Sequence, residues 1–167
     1  MLVVFLKRFL LLLGIFVLQV LVCNNIHLYG YATPMVGALF VIRMPLNIGR
    51  ISSMVWAFVL GLFIDVFSNT PGETTASLTL TAFIATPLLR AMAPKDCLED
   101  MVPGYRTMGI WNHIRFVVLL TLVQHISFYI LDRFCFFNIE QTLIAFGSSL
   151  LLSLLFILSL ESLSHGE

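Results

Sequence analysis

Asp65 is the residue whose chemistry most demands an explanation. It stands in the run GLFIDVFSNTPGETTAS, Gly61 to Ser77, among apolar neighbours. A carboxylate inside hydrocarbon costs on the order of a few kcal/mol or more unless it is paired, protonated or wetted. Counting back in fours from Asn69 gives Asp65, Gly61, Ala57 and Ser53, a single helical face of small and polar side chains. Small residues at that spacing let helices approach closely, and polar ones add interhelical hydrogen bonds. The face therefore reads as a packing or partner face, turned away from lipid. Two roles stay open for Asp65. It is either a structural acid that caps the next helix or bonds Thr70, Thr74 or Thr75, or a contact for a ligand, proton or partner.

A second polar stripe comprises Thr121, Gln124, His125 and Asp132, on one helical face. Gln124, His125 and Asp132 are the candidates for an outer polar pocket, although a lone histidine on such a stripe is more often a packing residue. His27, His113, His125 and His165 show no two-ligand spacing, and Cys23, Cys97 and Cys135 form no C-x-x-C. The serines of the last apolar run, Ser148, Ser149, Ser153, Ser159 and Ser162, sit in no G-x-S-x-G and read as helix-packing residues. No P-loop, nucleotide fingerprint or catalytic carboxylate pair can be assembled. The expectation is no metal, no cofactor, no catalytic residue and no enzyme.

What must position these groups is a membrane bundle. Of 167 residues, 59% are hydrophobic and 11% charged, with mean hydropathy +1.00. A soluble domain of this size has too much surface to hide so much apolar area. Net charge is zero and no basic stripe interleaves with aromatics, so nucleic acid is not an expected partner. A spanning helix needs about 20 mostly apolar residues. Six candidates cover about 9–23, 34–44, 51–69, 71–93, 113–131 and 139–163. The first apolar run lacks a small-x-small cleavage site and reads as a retained helix, not a signal peptide. The second is short or irregular and must recruit 26–33, with Thr33 and Pro34 as N-cap and first-turn proline. Thr70 and Glu73 are spaced as a capping box around Pro71, and Asn138 and Gln141 repeat that spacing before the last helix. Pro87 should kink the fourth helix near its end.

With both termini cytoplasmic, eight of the nine basic residues fall inside: Lys7, Arg8, Arg43, Arg50, Arg90, Lys95, Arg106 and Arg115, against Arg133 alone outside. The chain reads as one membrane domain. Its one long connection is a cytoplasmic loop, 94–112, where Asp96 and Glu99 are spaced to cap a short surface helix. The aromatic cluster Phe134 to Phe137 reads as an outer-interface belt or a partner-facing surface.

At Gly61 to Ser77 the chain resembles the rod shape-determining protein MreD family. Trp56, Gly61, Leu62, Asp65, Pro71 and Gly72 match its pattern of a Gly-Leu-apolar-apolar-Asp helix end, a turn and a Pro-Gly start. The strings NNIHLYGYATP from Asn24 and APKDCLEDMVPGYRTMG from Ala93 also resemble one branch of that family, although the inner loop is longer than in many members. The resemblance implies a six-helix fold similar to the substrate-binding subunits of energy-coupling-factor transporters. It also implies a non-enzymatic inner-membrane component of the bacterial cell-elongation machinery. Its partners would be an MreC-like periplasmic scaffold and, indirectly, an MreB-like filament and peptidoglycan synthases. The alternative is a small-molecule carrier subunit of vitamin-transporter type, with a pocket built from Asp65, Gln124, His125 and outer-loop aromatics such as Tyr29 and Tyr31. A membrane-embedded enzyme, the third possibility, needs a nucleophile with its base or a metal constellation.

Overall fold

The computed structural model describes residues 2–23, 34–45, 49–93, 102–132 and 139–164. Among them every regular element is helical: α1 (Leu2–Val17), running straight into a π-helical turn (Leu18–Val22), then α2 (Gly37–Ile42), α3 (Arg50–Ser68), α4 (Glu73–Met92), α5 (Tyr105–Met108), α6 (Ile110–Asp132) and α7 (Ile139–Ser164). Among the described residues four helices are long and apolar enough to cross a bilayer: α3, α4, α6, and α7 over Glu140–Ser162. Large apolar side chains, among them Ile51, Val66, Trp111 and Leu151, cover the outside of the bundle. In water this would be a fault; in hydrocarbon it is the solvated face, while the helices satisfy their own backbone groups.

α4 packs most broadly, against α3 on one side and α6 on the other. α2 threads between α1, α3, α4 and α6, and all six of its residues are buried. Six residues rise only about 9 Å, so this element is a plug in the core. The reason it starts late is visible. Pro34 to Val36 is not helical, because Gln19 of the π turn holds its backbone: Gln19 Nε2 donates to the Pro34 carbonyl at 3.1 Å, and the Val36 N–H donates to Gln19 Oε1 at 2.7 Å. The Met35 N–H donates to Ser153 Oγ of α7 at 2.7 Å. Helix two therefore begins at Gly37, not at the expected first-turn Pro34.

Two further helix starts differ from the sequence expectation. α4 begins at Glu73 with Gly72 at the N-cap and no side-chain cap of its own, two residues after the expected Pro71. The Thr70 hydroxyl meant for a capping box donates instead to Asp65 Oδ1 at 2.8 Å. α6 begins at Ile110, not His113, because Gly109 (φ 78°) makes the break that a side chain would resist, and the His113 N–H bonds back to the Gly109 carbonyl at 3.0 Å. The connection after α4 is shorter by that margin and contains α5. Pro87 lies inside α4, which continues to Met92. The expected features at His27, Tyr29, Tyr31, Thr33, Lys95, Asp96, Cys97, Glu99, Arg133, Phe134 to Phe137, Cys135, Asn138 and His165 lie outside the described residues.

Candidate functional site

The Asp65 carboxylate is 7% exposed and accepts four hydrogen bonds. Oδ1 takes the Thr70 hydroxyl at 2.8 Å and the Thr74 N–H at 3.0 Å. Oδ2 takes the Thr75 N–H at 2.9 Å and the Thr75 hydroxyl at 2.6 Å. Thr74 and Thr75 are the second and third residues of α4, whose N–H groups have no partner within their own helix. A side chain from α3 thus performs the capping that an N-cap residue ordinarily supplies, and its charge sits favourably at the positive end of the α4 dipole. The turn brings the two ends together. Asn69 adopts the left-handed conformation (φ 55°) and returns its N–H to the Asp65 carbonyl, and Gly72 takes φ 85°.

Close approach makes this possible. A Cβ on Gly61 would lie 2.5 Å from Thr75 Cα and 2.9 Å from Thr75 N, so only glycine lets α4 reach the carboxylate. Of the small-residue face, Ser53, Ala57, Gly61 and Asp65 are buried, with the Ser53 hydroxyl on Met44 Sδ at 3.1 Å. The face packs inside the bundle. Asn69 departs from it and is exposed, because its left-handed backbone ends the helix there. At the opposite end of the hairpin the Arg50 Nε–H donates to the Phe83 carbonyl at 3.2 Å, and its guanidinium lies 3.6 Å over the Phe83 ring.

The expected outer pocket of Gln124, His125 and Asp132 does not assemble. His125 is fully buried and closes a chain of its own. Its Nδ1–H donates to the Thr121 carbonyl at 2.8 Å, and its Nε2 lies 3.0 Å from the Ser153 hydroxyl, while Ser153 accepts from Met35. A carbonyl only accepts, so Nδ1 carries a proton. Asp132 is exposed at the end of α6, two turns beyond His125. Gln124 points elsewhere, into a cavity of about 380 Å³ that it shares with Gln19, Ser68, Thr70 and Thr74.

Sequence reasoning missed a second polar centre. His113 Nε2 and Glu161 Oε2 meet at 2.7 Å with both side chains buried; the imidazole donates and the carboxylate accepts. Tyr105 of α5 stands edge-on to the His113 ring at 4.5 Å and bonds Glu161. Burial, and then the Glu161 charge and that hydrogen bond, push the Tyr105 phenol above its ordinary range. The available signal was Glu161 itself, an acid inside an apolar helix. Among the described residues no three His, Cys, Asp or Glu side chains gather as metal ligands. The arrangement as a whole locks helices together.

Compared with protein-family models, curated proteins and solved structures, the chain matches none.

Proposed function

We propose that the chain is a non-enzymatic multi-pass subunit of the bacterial inner-membrane cell-elongation complex, acting through an MreC-like scaffold to position peptidoglycan synthesis. The resemblance at Gly61 to Ser77 supports this, and one observation carries it further. The matched residues Gly61, Asp65, Pro71 and Gly72 converge on one device, the clamped α3–α4 hairpin. On its outward side the hairpin leaves a groove of about 1120 Å³, with Phe58, Leu62 and Val66 on one wall and Ala76, Leu80 and Phe83 on the other. Small residues in the turn and on α4, Gly72 and Ala76, let another backbone come near, and the groove's apolar walls suit a single transmembrane helix, which is what an MreC-like scaffold supplies.

The topology in this reading has six crossings with both termini cytoplasmic. α1 with its π turn forms the first, and α2, too short to cross by itself, belongs to the second. The positive-inside asymmetry supports it.

Co-purification with an MreC-like scaffold in mild detergent tests the proposal. Ala76→Trp, which fills the groove from outside the hairpin seam, is expected to lose the scaffold while keeping its melting temperature. Undiminished capture by that variant counts against the groove. The carrier alternative needs Asp65, Gln124 and His125 in one pocket, and two of these three are closed within their own hydrogen bonds. A vitamin recovered at one per chain from the same preparation would revive it.

A further inference from the structure

Gln124 presents a buried amide with unmet bonding capacity. It is 1% exposed, and its Oε1 has no hydrogen-bond partner among the described residues. Buried polar atoms are nearly always bonded, and an orphan in a helix facing low dielectric is costlier still. Its side chain lines the cavity of about 380 Å³ between the π turn, α2, α3, α4 and α6, a volume within the range of small-molecule sites. Gln19 borders the same space, but both ends of its amide are already engaged by Pro34 and Val36. Ser68 and Thr74 add polar wall, and Phe67 and Phe128 add two aromatic rings. Phe67 is also 63% exposed on the outside of the bundle, so it stands at the cavity's rim. Among the described residues no Asp, Glu, Lys or Arg borders the space.

We infer that this cavity is a binding site for a small uncharged molecule that carries a carboxamide or lactam edge on an apolar body, with Gln124 as its recognition group. A charged ligand would enter without a counter-ion, which burial penalises. A purely apolar one would leave the Gln124 amide unmet. An amide edge pairs with Gln124 through two antiparallel N–H···O bonds, and it does so whichever way the Gln124 side-chain amide is turned. The site is independent of the outer groove and of the elongation-complex reading.

The test uses the full-length protein in lipid nanodiscs with benzamide as probe and benzoate and benzylammonium as charged analogues of the same shape. Saturation-transfer NMR is expected to show saturable binding of benzamide alone. Gln124→Met, which keeps the volume and removes the amide, should weaken it at least tenfold. Without probe the same variant should melt about 2–4 °C higher, because an unmet buried amide has been replaced by an apolar side chain. Equal benzamide binding in the two proteins, equal binding of a charged analogue, or no saturable binding of any of the three overturns the inference. A lower melting temperature for Gln124→Met does so too, since it would show the amide to be structurally satisfied.

Discussion

Glu161 and His113 join α7 to α6 through a 2.7 Å contact sealed from solvent, across a separation of 48 residues. α6 and α7 share a far smaller interface than α3 and α4, so this contact and the His125–Ser153 and Tyr129–Ser149 hydrogen bonds (3.0 and 2.9 Å) hold α7 in register. Small-residue packing alone would let the helix slide.

Removing one partner of that pair should be costly. Glu161→Ala leaves the imidazole N–H buried without an acceptor and is expected to destabilise by about 1–3 kcal/mol. Glu161→Gln keeps an acceptor oxygen and should lose less than half as much. Thermal unfolding in detergent, followed by tryptophan fluorescence, distinguishes them; equal losses would mean that shape, not the hydrogen bond, matters.

Tyr105 reports on the same centre through alkaline pH. Its phenol is raised by burial first and by Glu161 second. A group with a raised folded-state value contributes its stability fully below the ordinary phenol range of about 10, and loses it as pH rises through the folded value. Melting temperature should therefore fall more steeply above about pH 10 in the native protein than in Tyr105→Phe. Superimposable alkaline profiles would remove Tyr105 from the centre.

Gly61→Ala places a methyl 2.5 Å from the Thr75 Cα. The obstructing atom is backbone, so the hairpin must open, at an expected cost of about 1–3 kcal/mol. A disulfide engineered between α3 and α4 near this level should form faster in the native protein than in the variant. Unchanged cross-linking would show that the helices are not held this close.

Asp65→Ala strips the Thr74 and Thr75 N–H groups of their acceptor. The expected loss is on the order of 3 kcal/mol, with Asp65→Asn intermediate because it presents one acceptor oxygen instead of two. Scaffold capture should weaken in parallel. Usual scaffold recovery from a destabilised Asp65→Ala protein would separate the clamp from partner binding.

Legibility in the sequence followed the kind of interaction. Asp65 stood out because charge inside an apolar run is rare, and its local partners Thr70, Thr74 and Thr75 follow within ten residues. Ser53, Ala57 and Gly61 were readable from fourfold spacing alone. Asn69 was not, since helical spacing assumes a right-handed backbone and Asn69 abandons it. Thr70 and Pro71 resemble a helix start, and a tertiary acceptor overrode that local signal. The partners of Gln19 and Ser153, and the pairing of His113 with Glu161, were not readable for a simpler reason. These partners lie far along the chain, and nothing in a residue's own neighbourhood says which distant helix it will meet. The hydropathy that marks α3, α4, α6 and α7 as spanning held no comparable signal for α2, whose conformation depends on Gln19.

The four-donor embrace of Asp65 bears on how the protein is made. Were α3 to enter the bilayer by itself, its carboxylate would reach oily surroundings with no donor near it, and α4 would arrive with bare N–H groups at its tip. Each helix cures the defect of the other. The two are therefore expected to leave the translocon as a preassembled pair during synthesis, which makes the hairpin, and not the single helix, the unit of membrane integration.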